Sequence, residues 1–498
     1  MLHINLLGLH ILLFCSLALA QTPSRYEGKQ NNWWKGNSHS HPKRQIGVKS
    51  TSKLYHENNY DYLVLTEHRV WLDDTEVTFT PKRSSFLVIQ GEEFNSNRNR
   101  KTKHITVINS TAQLGDIPKK STTDSEHFNM IYALVSEKNG FPIINHPTWG
   151  GDLKPADFAK IKGFQHFELF NGAQDTDTYG IYGTGLPSTE KLWDDILTAG
   201  TKWYGVGADD FHRIGPNKAS ASSPFTGWTM LKTSTLSVDS VLAAYKIGRF
   251  YASNGVQLVD LTTDLGLYKI SIDTQLTNFE LTNRDTAGWA NPAKPVKEGT
   301  PGYRIDFIGS NGTILKTVNG LSGEYQATKN DAYVRGRVTF LREITPKSAP
   351  YINEKIMKQQ DYIRDSSMIK EEYYAWGQPF FTDARHEGGA PKFGCTDTSY
   401  LEYDNTANIT DVNACKNKNV SIRNKQYDFD GINGINIKVG KVFGNYSIEL
   451  RSLNGQLLKT INSNLNREHD LNNLTTFKRY IVVIKGQHKS IQKMIMVK

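Results

Sequence analysis

The sequence predicts an α/β fold over its first half and all-β structure over the remainder. Three observations point there. From about residue 25 to 260, short apolar runs alternate with helical stretches, the pattern of a parallel sheet or barrel with crossover helices. After about residue 265 the helical period fades and two-residue alternation takes over. Six histidines close or adjoin the predicted strands of the first part, at the positions where such folds keep their chemistry.

Taken in order, "YDYLVLTEH", "FLVIQGEEF", "HITVIN", "FPIINHP", "FQHFELFNG" and "WYGVGADDF" read as buried strands. "FNMIYALVSEKNG", "TEKLWDDILTAGT" and "VDSVLAAYKIG" read as helices, the first ending at a glycine C-cap. "KISIDT", "YRIDFIG", "TILKTV", "EYQAT" and "AYVRGRVTF" alternate like strands of a small β-sandwich. Residues 386–423 are polar, contain Cys395 and Cys415, and read as a linker. The tail, 424–498, is strand-like again, and Asn454–Gly455 between two apolar runs signals a hairpin. At 498 residues, two to four domains are expected.

The first twenty residues form an apolar run ending in Ala-Leu-Ala before Gln21, which fits a secretory signal cleaved after Ala20. That run lacks the Lys or Arg usual near the start of such signals, and "LLFCS" is a poor lipid-attachment signal for Cys15. No later segment is apolar enough, for long enough, to span a bilayer. An exported Cys395–Cys415 pair reads as a disulfide rather than as two free thiols. With 38% hydrophobic and 22% charged residues the composition is globular. The net charge of +9 is a mild bias toward anionic partners. Aromatics are not interleaved with a basic stripe, so nucleic-acid binding is not expected.

Nine of the 14 histidines fall between residues 39 and 212. His39 and His41 flank Ser40 and point the same way on an extended chain. His68 ends "LVLTEH", Glu92 and Glu93 end "VIQGEE", His104 opens "HITVIN", His146 ends "PIINH", and Asp210 and His212 follow "GVGAD". One strand-end histidine is usually a hydrogen-bonded structural residue. Six, interleaved with acids, point to a multinuclear site for zinc, manganese or iron. Glu168 shares a strand face with His166 and is a candidate to orient a ligand histidine, whereas His166 reads as structural. "NRNRKTK" (97–103) puts four cations before His104; it reads first as a solvated loop and second as a patch steering anions.

The series "HSH" (His39, His41), "TEH" (Thr66–His68), "GEE" (Gly91–Glu93), His104, "HP" (His146, Pro147) and "DFH" (Asp210–His212) resembles the polymerase and histidinol phosphatase (PHP) metallohydrolases in order and approximate spacing. "FELFNG", "IGRFYASNGV" and "YYAWGQPFF" are similar to their carbaryl-hydrolase-like (CehA/McbA) branch. The resemblance implies a distorted (β/α)7 barrel over residues 21–262, a β-sandwich appendage over 263–385, and two or three divalent ions. It assigns one ion to His39, His41, Glu93 and Asp210. Glu93 would bridge to a second, held by His104 and His146. His68 and His212 would complete a third position or act at the substrate. Gly-x-Glu and Asp-x-His spacing select Glu93 and Asp210, with Glu92 and Asp209 as the off-by-one alternatives. Two departures stand out. No acid or histidine follows His41, where Lys43, Arg44, Lys49 and Lys53 stand instead, and Glu67 takes the place of the motif's Asp. A dinuclear centre, or Arg69 as a substrate-binding cation in the third position, is therefore the expectation.

Residues 395–415 resemble a Cys-bounded segment of secreted Bacteroidota proteins, and 424–498 are similar to type IX secretion C-terminal sorting domains. That resemblance implies export to the surface or medium by the type IX machinery, with the tail removed. The combined expectation is a secreted metal-dependent phosphoesterase acting on a small anionic substrate. A carbamate, carboxyl-ester or amide hydrolase with the same centre is the alternative, and a non-catalytic surface binding protein the second.

Overall fold

The computed structural model describes residues 32–44, 46–72, 86–117, 120–149, 153–173, 176–179, 186–213, 222–286, 302–344, 369–387, 389–418, 421–425, 434–438, 446–453, 456–463, 468–471, 479–486 and 490–496. The leader expected at 1–20 lies outside them. The chain divides into two compact units, one of Met1–Thr263, Tyr268–Tyr325 and Asp331–Phe381, the other of Asp264–Leu267, Gln326–Asn330 and Thr382–Lys498.

The first unit begins with β1 (Trp33–Asn37), α1 (Gly47–Glu57), β2 (Tyr62–Val64), β3 (Leu87–Ile89), β4 (Gly91–Arg98), β5 (Lys101–Ile108), α2 (Asp124–Glu137) and β6 (Phe141–Ile144). It continues through α3 (Pro155–Phe158), β7 (His166–Asn171), α4 (Thr189–Thr198), β8 (Tyr204–Ala208), β9 (Trp228–Lys232), α5 (Val238–Lys246) and β10 (Phe250–Ser253). The helices start where short polar side chains cap them. Thr123 accepts from the Glu126 amide at 3.1 Å, Ser188 from Lys191 at 3.1 Å and Ser237 from Ser240 at 3.2 Å. α2 therefore begins earlier than its apolar pattern suggests. Its left-handed residue is Asn139 (φ 53°) rather than Gly140; a Cβ on Gly140 would lie 2.5 Å from Val107 Cγ1, so the glycine serves close packing.

Two sheets carry the unit. β4-β5-β6-β7-β8 form one, antiparallel from β4 to β6 and parallel from β6 to β8. The other holds β1, β2 and β3 in parallel, with β9 and β10 antiparallel beyond β1. Ile105, Val107, Ile143, Phe167, Leu169 and Val206 pack against Phe128, Ile131 and Val135 of α2 and Leu192, Trp193 and Ile196 of α4. Each such buried side chain contributes about 1.5–3 kcal/mol.

The expected closed barrel is not formed. Among the described residues no ladder joins β3 to β4 or β8 to β9, and the architecture is mixed α/β with open sheets. The reason is visible at Gly207, where a Cβ would sit 2.5 Å from the Trp228 carbonyl oxygen. The strands come close, but the Thr229 hydroxyl takes the ladder's place. It accepts from the Gly207 amide at 3.1 Å and donates to its carbonyl at 3.0 Å. The Gln378 amide treats Gly205 the same way, at 2.9 and 2.8 Å.

After β10 come β11 (Leu258–Thr262), β12 (Leu267–Ile272), α6 (Thr274–Thr286), β13 (Tyr303–Ile308), β14 (Ile314–Asn319), β15 (Ser322–Gln326), β16 (Tyr333–Ile344), β17 (Ile369–Gly377) and β18 (Phe380–Phe381). The sequence places a boundary at 262/263, yet a continuous sheet runs across it. β17 pairs with β10 on one side and β16 on the other, giving the order β14-β13-β16-β17-β10-β9-β1-β2-β3. A buried ion network fastens the same junction. Arg335 of β16 grips Asp194 of α4 through Nε and Nη2, at 2.8 and 2.7 Å, and reaches Glu190 at 2.9 Å. Arg337 bridges Glu190 and Asp306, at 3.2 and 2.9 Å.

In the second unit, β19 (Phe393–Gly394) and β20 (Ile409–Thr410) pair in parallel, and Cys395 and Cys415 form a disulfide. Asp397, Asp404 and Asp411 each accept the backbone N–H two residues on, an Asx turn. The segment read as a linker is thus folded between 389 and 418. β21 (Ser421–Lys425), β22 (Gly434–Lys438) and β25 (Glu468–Leu471) form one sheet. β23 (Tyr446–Ser452), β24 (Leu457–Ser463), β26 (Arg479–Gly486) and β27 (Ser490–Met496) form another. Asn454–Gly455 lies outside the described residues, but β23 and β24 on either side pair antiparallel. No helix among the described residues is long and apolar enough to cross a membrane.

Asp194→Ala takes the two-point partner from buried Arg335, leaving it Glu190, and is expected to destabilise the first unit by about 3–5 kcal/mol in urea unfolding; the paired change Asp194→Leu with Arg335→Met recovers most of the loss. Glu190 is partly buried, which alone would raise its pKa, but Arg335 and Arg337 hold it below the ordinary value of 4.5. A carboxyl depressed in the folded state contributes stability that is full above its unfolded pKa and lost as pH falls through the folded one. The unit's Tm should therefore fall with acidification below about 4.5, and less steeply in Glu190→Gln.

Candidate metal centre

Six backbone and side-chain hydrogen bonds bring the expected residues to one place, and the first lies just after β1. Asn37 donates to the His39 carbonyl at 2.8 Å and accepts from the Asp209 amide at 3.0 Å. The Ser40 amide donates to Thr66 Oγ1 at 2.7 Å, and the His41 amide to the Phe211 carbonyl at 2.9 Å. Both histidines are fully buried. The Glu93 amide donates to the Glu67 carbonyl at 3.1 Å, and the Arg69 amide to the Glu93 carbonyl at 2.9 Å, locking the turn that holds His68 beside β4. His104 does not open its strand; it sits inside β5, opposite Asn95. His146 and Asp210 follow β6 and β8 with φ of 25° and 52°, a left-handed backbone that tight packing must maintain.

Glu93 is at the centre. Its Oε1 lies 2.7 Å from His104 Nδ1, 3.3 Å from His39 Nε2 and 3.8 Å from His146 Nε2. Its Oε2 faces His41 Nε2 at 3.5 Å and His68 Nδ1. Asp210 Oδ1 lies 3.2 Å from His39 Nε2, 3.1 Å from His41 Nε2 and 3.3 Å from His212 Nδ1. Three triads have donor atoms close enough to share an ion: His39, His41 and Asp210; His68, Glu93 and His104; His41, His68 and His212. His146 stands beside them, its ring edge-on to His104 at 4.9 Å.

The supporting residues fix the lone pairs. His39 donates Nδ1–H to Glu168 at 2.7 Å, which leaves Nε2 as the acceptor facing Glu93 and Asp210. Glu67 lies 3.4 Å from His41 Nδ1 and accepts from the Lys43 amide at 3.0 Å. It orients His41 from behind, and the turn after His41 brings no side-chain ligand. His212 donates Nδ1–H to the Asp210 carbonyl at 2.8 Å. The amide of Asn145 donates to Glu93 at 2.9 Å, and that of Asn171 donates to Glu168 at 2.7 Å and Asp210 at 3.2 Å. Asn95 lies 2.8 Å from His68 Nδ1. None of these three asparagines stood out in the sequence; the available signal was only that Asn145 precedes His146 directly and that Asn95 and Asn171 follow Glu93 and Glu168 within a few residues.

The off-by-one alternatives face elsewhere. Asp209 is filled by Tyr55 Oη at 2.7 Å and by the amides of Phe225, Thr226 and Gly227. Glu92 points to the other face of β4, accepts from the Leu114 amide, and is pushed up to about 7 by burial. Arg69 is not in any triad: its guanidinium meets Asp116 at 2.5 Å and lies 4.4 Å over the Phe94 ring. His166 donates to the Tyr245 carbonyl at 2.8 Å, and burial lowers its pKa to about 4.

Burial alone would raise Glu93 and Asp210 and lower His39 and His41. The mutual attraction reverses all four, holding the acids well down and the imidazoles up. Four buried or nearly buried carboxylates, Glu67, Glu93, Glu168 and Asp210, converge on two histidines. Neutral imidazoles leave that set strongly negative, a deficit that divalent cations match. Glu93 Oε2 is buried and accepts no hydrogen bond of ordinary geometry, so its lone pairs are available to a cation. The donor set of imidazole and carboxylate fits zinc, manganese or iron. Glu168→Gln should weaken metal retention by about 10–100-fold, read as metal content after dialysis against graded chelator, with the fold unchanged by circular dichroism.

No family model matches the chain, and no curated protein matches it. Among solved structures, a protein from Bifidobacterium adolescentis proposed to be a metal-dependent phosphoesterase aligns at 11% identity, covering 42% of this chain and 94% of that one, with a TM-score of 0.28. A two-domain fibronectin type III segment of chicken tenascin aligns at 10% identity over 49% and 99% of the two chains, with a TM-score of 0.13. A β-glucuronidase from Ruminococcus gnavus aligns at 10% identity over 41% and 35%, with a TM-score of 0.14. Likenesses this slight carry no argument about the activity of this chain.

Proposed function

We propose that the chain is a divalent-metal-dependent hydrolase acting on phosphoesters. One observation carries the reading: buried Glu93 stands between two sets of imidazoles, its Oε1 facing His39 and His104 and its Oε2 facing His41 and His68, so one carboxylate is within reach of two ion positions. Two of the triads have no residue in common. His39, His41 and Asp210 would hold one ion; His68, Glu93 and His104 the other, with Glu93 shared and His146 adjoining. Bound cations at such a centre polarise a phosphoryl oxygen and generate a nucleophile from water near neutral pH.

The chain's own residues do the rest. Glu168 and Glu67 keep His39 and His41 in the tautomer that presents Nε2, and Asn145 and Asn171 hold the carboxylates in plane. His68 and His212, 21% and 22% exposed, are the imidazoles of the cluster that reach furthest into solvent. His212, which neither ion takes in this assignment, is placed to pass a proton to the departing oxygen. The sequence resemblance and the basic balance of the chain support phosphate as the electrophile. A second reading, hydrolysis of an aryl carbamate or carboxyl ester, is favoured by Trp149. It is 40% exposed and edge-on to His104 and His146 at 5.2 and 5.1 Å, an apolar platform at the rim. Export belongs to the same proposal, supported by the apolar first twenty residues, the tail's resemblance to sorting domains and the Cys395–Cys415 disulfide.

Loaded with manganese or zinc, the protein should hydrolyse p-nitrophenyl phosphate or its bis-ester. Chelation should abolish this and metal should restore it, while His104→Ala should lose at least about 100-fold in kcat/KM. Activity confined to carboxyl esters or carbamates would establish the second reading, and no bound metal by elemental analysis would sink both.

A further inference from the structure

A cleft of about 790 Å³ lies beside the centre, within the range of small-molecule sites. The two share a wall: Asn95 lines the cleft, and its amide nitrogen is 2.8 Å from His68 Nδ1 and 3.4 Å from His104 Nε2. Three cations line it, Arg69, Arg98 and Lys120, against one carboxylate, Asp116. Arg69 follows His68 directly, in a left-handed conformation (φ 53°) that its amide bond to the Glu93 carbonyl helps to hold. Its guanidinium lies over the Phe94 ring, a pre-set placement for a planar donor fork. Arg98 is anchored by Asp124 and the Thr122 carbonyl at 2.8 and 2.7 Å.

We infer that this cleft receives the part of the substrate beyond the scissile ester, and that this part carries its own negative charge, a carboxylate or a second phosphate. Arg69 is the recognising group. Its present partner, Asp116, has a side chain 92% exposed; pairs of this kind are worth about 0–1 kcal/mol, so a substrate anion can take its place. The excess positive charge of the lining favours an anion arriving there. The inference relies on the phosphoesterase reading for the bond that is cut, but not for what the cleft binds.

The test has two arms, each run on the full chain as purified. In the first, calorimetry follows inorganic phosphate binding to the wild type, Arg69→Gln and Asp116→Asn. Binding should weaken about fivefold or more in Arg69→Gln and strengthen about threefold in Asp116→Asn, where the competitor is gone. In the second, kcat/KM is compared for phenyl phosphate and 4-carboxyphenyl phosphate. The wild type should favour the doubly charged ester about tenfold, Asp116→Asn should widen that ratio, and Arg69→Gln should bring it close to one. Equal phosphate affinity in all three proteins, or a ratio unchanged by Arg69→Gln, overturns the inference. Arg69-dependent phosphate binding without hydrolysis of any phosphoester upholds the cleft and removes only the phosphoesterase reading.

Discussion

Glu93 is a carboxylate sealed from water, and the centre is arranged around what its burial costs. An unpaired buried charge is worth several kcal/mol of destabilisation. Here the charge is not alone, because Asp210 and Glu168 are buried within reach of the same His39 ring. Asparagine amides supply neutral donors to all three acids. Amides relieve desolvation without cancelling charge, so the balance falls to the imidazoles or to cations. The imidazoles cannot serve both ends at once: a proton on His39 Nε2 that offsets Glu93 removes the lone pair a metal would use. Charge compensation and ligation are therefore alternative states of one set of residues, and the asparagines serve in both.

The absence of barrel closure follows from the same economy of contacts. A ladder between β8 and β9 would fix the strands through backbone groups that any sequence supplies. Thr229 and Gln378 replace it with single side chains that bond both the amide and the carbonyl of a glycine. Asn37 and Thr66 do similar work at the strand ends, tying β1 to the residues after β8 and β2. The ligand-bearing turns are thus held by specific side chains, and their positions are set independently of sheet register.

Much of the cluster was legible because imidazoles and carboxylates gathered at strand ends stand out in a sequence. His39, His41, His68, Glu93, His104, His146, Asp210 and His212 all converge where strand-end reasoning placed them, although His104 reaches the site from inside a hairpin. Less legible were residues whose chemistry is common everywhere. Asn95, Asn145 and Asn171 look like loop residues until their amides are seen to meet the histidines and acids of the cluster. α1 escaped the pattern because its buried face includes Thr51, Ser52 and His56 beside Val48 and Tyr55, which blurs the apolar period. β1 and β9 were hidden by the short "WWKGN" and "WTMLK". Closure of the sheet was misread because Gln378 and Gly205 are distant in sequence, and no local pattern announces that a side chain will stand in for a strand.

β17 has a consequence for how the protein is made. It is a central strand, lying between β10 and β16, yet it comes after more than three hundred residues of chain. Until residue 377 leaves the ribosome, β10 lacks its partner on that side, and the β14-β13-β16 strands lack the strand that joins them to β10. The long sheet is therefore completed by a non-local strand pairing late in the chain. For anyone wishing to shorten it, residue 262 is a poor place to stop, because the cut would bare the middle of a sheet.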